Sequence, residues 1–132
     1  MDESFQKVWS ELTAIYADRR EQRPSFASSL KELDIDRWGA YLASSRGHLY
    51  DQISLKLARG FADGELDFTF CDAVVNDIHG VITFSGGERP PLFWSVFIAF
   101  DNGEYYHDNN REEDPEEVYT RPMIEQILKQ IA

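Results

Sequence analysis

The residues that could do chemistry are concentrated in one short stretch, positions 101–114. Carboxylates together with an imidazole can bind a divalent metal ion or act as general acid and base. The spacing matches no known ligand motif, and it lacks the alternating Asp or Asn ligands and the central Gly of a calcium loop. We therefore expect a solvated acidic rim without a metal or cofactor, and a small metal-dependent hydrolase is the alternative. The group comprises Asp101, Glu104, His107, Asp108, Glu112, Glu113 and Asp114.

A second polar group lies on a predicted helix. Asp72, Asn76 and His79 are spaced by four and then three residues, so they share one helix face. A carboxylate beside the imidazole would raise the pKa of His79 and could form an acid–base pair. The spacing equally fits a helix surface or a buried structural network, and we favour a structural role.

Acidic charge dominates the sequence and is unevenly distributed. The formal net charge is −11, and residues 61–132 carry all of it, with fifteen acids and four bases. Such a surface repels nucleic acid, but it steers a basic protein toward itself. We therefore expect a basic protein partner and no nucleic acid, although the charge could also serve solubility alone.

Cysteine content and apolar segments indicate the compartment. The single cysteine, Cys71, cannot form an intramolecular disulfide, which favours a reducing environment. It falls on an apolar helical stripe, so we expect a core residue and not a nucleophile. The start of the sequence lacks the features of a signal peptide. The longest apolar stretch in the whole sequence, residues 92–100, is shorter than the about 20 residues that a membrane helix needs. We expect a cytoplasmic protein without membrane association, and composition does not set its oligomeric state.

The elements that must position these residues are predicted from hydrophobic periodicity. Apolar residues recur at steps of three and four over about 5–16, 49–62 and 67–78, which predicts N-terminal helices. From residue 81 the pattern changes to β-branched and aromatic runs, which predict an antiparallel β-meander at about 81–85, 92–100 and 104–108. A helix capped by Thr120 is predicted to close the chain. The sequence therefore predicts an α+β fold in a single domain, residues 1–132.

One glycine precedes the predicted meander, and another lies in the turn between its second and third strands. Gly80 is expected to end the preceding helix. Asn102-Gly103 is typical of a type I′ hairpin turn, whose central residues both need positive φ. This turn would place Asp101 opposite Glu104 at the hairpin tip.

Aromatic residues around the predicted hairpin exceed what one face of a small sheet can bury. Either the helices cover both faces, or an aromatic patch is exposed beside the acidic rim. Exposed Trp and Tyr side chains are typical anchors of protein interfaces. The expected partner-binding residues are Trp94, Asp101, Glu104, Tyr105, Tyr106, Asp108, Glu112, Glu113 and Asp114.

A resemblance to a protein family rests on PLFWSVFIAFDNGEYY, residues 91–106, and on YTRP, residues 119–122. These segments resemble a signature of small bacterial domains of unknown function, over about residues 65–125. The resemblance implies no activity, ligand or catalytic residue. Size and acidity also resemble those of bacterial immunity proteins and antitoxins, which is a similarity of class. We expect a non-enzymatic interaction protein, and an immunity protein or antitoxin is its most concrete version.

Overall fold

The fold consists of α-helices. The computed structural model describes residues 2–22 and 30–131, and within these ranges it contains six α-helices and no β-strand. Between the last two helices lie a 3₁₀ turn, His107–Asn109, and a π-helical turn, Glu116–Thr120. The helices are α1 (Glu3–Gln22), α2 (Glu32–Leu42), α3 (Arg46–Ala62), α4 (Phe68–Ser85), α5 (Pro91–Asp101) and α6 (Arg121–Ile131).

The predicted α+β class is therefore wrong, and the first of its strands, 81–85, is the last part of α4. The apolar stripe of this helix continues through Val81 and Ile82 without a change of period. Gly80 is exposed and does not end the helix. The helix ends at Gly86, whose φ of 78° lies in the left-handed region that favours glycine.

The second predicted strand, 92–100, is helix α5. Pro91 occupies the first helical position, where a missing N–H costs no hydrogen bond. Phe93, Val96, Phe97 and Phe100 are buried at helical spacing. Their β-branched and aromatic character favoured a strand, but packing against neighbouring helices outweighs that preference.

The predicted Asn-Gly hairpin is also wrong, because Asn102 is the C-cap residue of α5 with a φ of −67°. Gly103 is required for a different reason. A Cβ atom at this position would lie 2.3 Å from Oγ1 of Thr120 and 2.7 Å from Cε2 of Phe68. Thr120 does not cap α6, and its hydroxyl instead donates to the carbonyl of Ala99 at 2.7 Å. This contact fixes the end of α5 to the start of α6.

The third predicted strand, 104–108, is an irregular turn. The amide of Glu104 donates to the carbonyl of Asp101, and the chain then enters the 3₁₀ turn. Asp108 and Asn109 have left-handed φ values of 53° and 59°, a conformation that Asp and Asn tolerate better than most residues.

The core is one cluster of buried side chains to which all six helices contribute. Trp38, Phe93 and Phe100 are its largest fully buried members. Helix α5 packs against α3, α4 and α6. Its N-terminus is capped by α3, because the carboxylate of Asp51 accepts from the amide of Phe93 at 2.9 Å.

Polar side chains fasten α1 to α2. The carboxylate of Glu11 accepts from the indole of Trp38 at 3.0 Å, from the hydroxyl of Tyr41 at 2.9 Å and from Arg37 at 3.0 Å. These donors hold the pKa of Glu11 below its usual range, the bond from Trp38 first. Across the described helices, none has both the length and the apolar character needed to span a bilayer.

Candidate functional site

Most of the predicted site residues lie in or beside one surface feature, which we call the acidic segment, residues 101–117. It holds eight of the fifteen acids of residues 61–132 and one base, Arg111. Gly103 packs closely against Thr120 at its start, and Glu117 at its end pairs with Arg121 of α6 at 3.0 Å. The segment is therefore irregular but anchored at both ends.

An aromatic stack packs along the acidic segment. The ring of His107 lies between Tyr105 and Tyr119, with ring centroids 4.4 Å and 3.7 Å away. Nε2 of His107 donates to the carbonyl of Asn102 at 2.8 Å, because a carbonyl can only accept. We call Tyr105, His107 and Tyr119 the tyrosine–histidine stack.

Acids surround this stack. Burial raises the pKa of Tyr119, and the carboxylates of Glu113 and Asp108 raise it further. Tyr105 and Tyr106 are 52% and 45% exposed. Aromatic rings and negative charge therefore share one accessible surface.

Most acids of this segment have no cationic partner. Within the described parts of the chain, Glu117 is the one member that forms an ion pair, with Arg121 at 3.0 Å. The guanidinium of Arg111 instead lies over the ring of Tyr106, 4.9 Å from its centroid. Asp108, Glu112 and Asp114 are exposed, and Glu113 is half-buried.

The second predicted group is divided between two places. Nδ2 of Asn76 donates both to the carbonyl of Asp72 and to the carboxylate of Glu104, each at 2.8 Å. Burial raises the pKa of Asp72 to about 8, and the adjacent carboxyl of Glu104 and the charge of Asp101 add to the effect. Oδ1 of Asp72 is buried without a hydrogen-bond partner among the described residues. This carboxyl cluster joins α4 to the acidic segment.

His79 does not pair with Asp72. Its ring stacks on Phe97, with centroids 4.5 Å apart, and Phe97 stacks on Trp94. Arg89 lies over Trp94, 5.0 Å from the ring centroid. Burial lowers the pKa of His79, and Arg89 lowers it further. The expected rise in the pKa of this histidine is therefore wrong, because its neighbours are aromatic and cationic.

An open groove of about 460 Å³ lies between α5 and α6. Its apolar walls are Trp94 and Ile98 from α5 and Pro122, Met123 and Ile127 from α6. Neither this groove nor a role for Tyr119 was predicted, although Tyr119 belongs to the YTRP motif. The signal for the groove was the stripe of α6, which has more apolar residues than its one fully buried position, Ile124, requires.

Metal or nucleophile chemistry finds little support in the geometry. In the described residues, no group of three or more His, Cys, Asp or Glu side chains converges in a way that could hold a metal ion. Glu104 accepts from Asn76 and His107 donates to the carbonyl of Asn102, so these two side chains bind different neighbours. Cys71 is buried, and burial raises the pKa of its thiol.

Comparisons with protein-family models, curated proteins and solved structures found no match to this chain.

Proposed function

We propose that this chain is a non-enzymatic interaction protein that binds a basic protein partner through the acidic segment. One observation carries the proposal: acids without ion pairs lie beside exposed tyrosines. Among the described residues, Asp108, Glu112 and Glu113 have no cationic partner. Tyr105 and Tyr106 are about half exposed next to them.

The two kinds of side chain would contribute differently to binding. The acids would accelerate the encounter with a basic surface, and this effect weakens as salt is added. Tyrosine rings supply contact area that loses little conformational freedom on binding, which suits them as anchors. Charge thus supports selection of a basic partner, and the aromatic rings support its retention.

An immunity protein or antitoxin is the most concrete form of this proposal, because size and acidity resemble those classes. The partner would then be a basic toxin. Membership in the family of small bacterial domains that carry the 91–106 and 119–122 segments is part of the same proposal. In this chain the 91–106 segment forms helix α5 and the turn that follows it.

A capture experiment with a matched pair of variants tests the proposal. The immobilised chain is exposed to lysate from its own source at low and at high salt. A neutralised variant, Asp108→Asn/Glu112→Gln/Glu113→Gln, removes three charges from the acidic segment. A control variant, Glu3→Gln/Glu65→Gln/Glu88→Gln, removes three charges from exposed positions elsewhere.

The proposal expects a basic protein that the chain and the control variant retain at low salt, and that the neutralised variant loses. Retention by both variants alike would place binding elsewhere. If low salt retains no basic protein, the proposal fails.

A further inference from the structure

The groove between α5 and α6 is an apolar surface that the chain itself does not cover. The side chain of Trp94 is 37% exposed, and Ile98, Met123 and Ile127 are half-buried. Ile131, on the same helix as Met123 and Ile127, is 42% exposed. Apolar surface that stays accessible on a folded chain is typical of a docking site.

The groove is continuous with the acidic segment. Its Pro122 end lies three residues after Tyr119, which is less than one helical turn. The acidic segment ends at Glu117, five residues before Pro122, and the ring of Tyr119 stacks on His107 of that segment at 3.7 Å, so negative charge lies near this end. At the other end Arg89 lies over Trp94 and places positive charge there. Arg121, next to Pro122, is already paired with Glu117, so the remaining acids of the segment make the Pro122 end negative, whereas Arg89 makes the Trp94 end positive.

We propose that the groove receives an amphipathic helix of the basic partner, and this inference rests on the proposed function. Apolar side chains of that helix occupy the space beside Ile98 and Ile127, while its lysines and arginines face the acidic segment. A helix fits because both walls are helices, and their side-chain ridges interlock with those of a third helix. Charge disfavours a second copy of this chain as occupant, since each copy carries a net charge of −11 and the two would repel each other.

The polarity of the groove also sets a direction. The basic end of the bound helix lies at the Pro122 end, next to Asp108 and Glu113. The end beside Trp94 carries neutral or acidic residues, because Arg89 would repel a lysine there.

Three synthetic peptides of equal length test this inference at about 0.15 M salt, where long-range attraction is screened. The first is an amphipathic helix of Leu and Lys with its lysines concentrated toward one end. In the second, each Leu is replaced by Ser, and in the third each Lys is replaced by Glu. NMR titration of the full chain follows the backbone amides and the indole signals of Trp9, Trp38 and Trp94.

The variant that matters most is Ser95→Phe. Ser95 is exposed and lines the groove, so a phenyl ring there fills the space without entering the core. Gln6→Phe adds the same ring at an exposed position of α1 and serves as its control. Ile127→Ser is the second groove variant, read beside a thermal melt that reports whether it is folded.

The Leu and Lys peptide is expected to shift the Trp94 indole and to bind about tenfold more weakly to Ser95→Phe than to Gln6→Phe. Absence of binding by this peptide, or equal binding of the Ser and Lys peptide, would overturn the inference. If the Ser and Lys peptide binds equally well, loss of its binding in Asp108→Asn/Glu112→Gln/Glu113→Gln would leave the proposed function standing as an interaction of charge alone. Unchanged binding in that neutralised variant would instead contradict the proposed function. A dimer that sedimentation detects and Ser95→Phe disperses would assign the groove to a second copy and overturn the inference.

Discussion

Where α2 packs against α1 and α3 the acids have donors, whereas in the acidic segment most acids face solvent. Glu11 accepts from three side chains, and Arg46 joins Glu32 and Asp36 at 2.8 and 2.6 Å. Between Asp101 and Glu117 the described residues include one ion pair, that of Glu117. The contrast separates charge that stabilises the fold from charge that the fold carries without needing it. Removal of an acid should therefore destabilise the first region and change the stability of the second very little.

The largest expected effect concerns the anchor of the acidic segment and not its charge. We expect Gly103→Ala to lower the free energy of unfolding by about 3 kcal/mol, because the new methyl group would overlap Thr120 and Phe68. Chemical denaturation measures the loss. Gly80→Ala is the control, since that exposed position has no atom within 4 Å of the new methyl, and a gain of about 0.5 kcal/mol is expected. Equal effects at the two glycines would mean that the segment is not anchored as described.

The next largest loss of stability is expected from removing Glu11, whose carboxylate joins α1 to α2. We expect Glu11→Ala to cost about 2 kcal/mol, because three donors lose their acceptor. Since the pKa of Glu11 is lowered in the folded chain, its contribution is complete above the unfolded pKa. It is lost as pH falls through the folded pKa. Denaturation of Glu11→Ala and of the control Glu3→Ala, measured near pH 7 and near pH 3, should show a difference at the higher pH that shrinks at the lower one.

A smaller effect of opposite sign is expected at the carboxyl cluster. With its pKa raised to about 8, Asp72 holds its proton more tightly in the folded chain than in the unfolded one. Its contribution is therefore most favourable below the unfolded pKa and is lost as pH rises toward 8. Asp72→Asn should stabilise the chain by about 1 kcal/mol at pH 8 and change little at pH 4. Melting curves across this range test the prediction, with Glu65→Gln as the exposed control; a variant less stable at pH 8 would contradict it.

The smallest effect on stability is expected in the acidic segment itself. Asp108→Asn/Glu112→Gln/Glu113→Gln should alter the free energy of unfolding by no more than about 0.5 kcal/mol, since no ion pair of the described residues is lost. Reduced self-repulsion should make any change favourable at low salt. Denaturation at two salt concentrations provides the measurement. A loss as large as that of Glu11→Ala would erase the comparison between the two regions.

Helices α1, α3 and α4 were predictable from their hydrophobic periodicity. The apolar stripes of α1, α3 and α4 are long, regular and bounded by polar residues, and the structure confirms a helix at each. The secondary-structure prediction is wrong from Val81 onward. The β-branched residues there continue the apolar stripe of a helix, but their composition favours a strand. Helix α5 is short and apolar on most sides, so its period gives little evidence against a strand.

Helix periodicity also related two polar residues of the candidate site to each other. Asp72 and Asn76 share a face of α4, as helix geometry requires, and Nδ2 of Asn76 donates to the backbone carbonyl of Asp72. Their contact with Glu104 could not be predicted while that residue was assigned to a hairpin tip. The role of Gly103 was equally hidden, because a need for close packing and a need for positive φ select the same residue type.

The cap that Asp51 gives to α5 bears on the order in which the molecule forms. Pro90 provides no side-chain cap and Pro91 has no amide hydrogen, so the first turn of α5 has little local support. Its acceptor lies 42 residues earlier in the chain. We therefore expect this most apolar helix to be completed only after α3 has docked beside it, at the entropic cost of closing a long loop. Until that step a newly synthesised chain would expose Leu92 to Phe100 to water, and we expect it to be most prone to aggregate then.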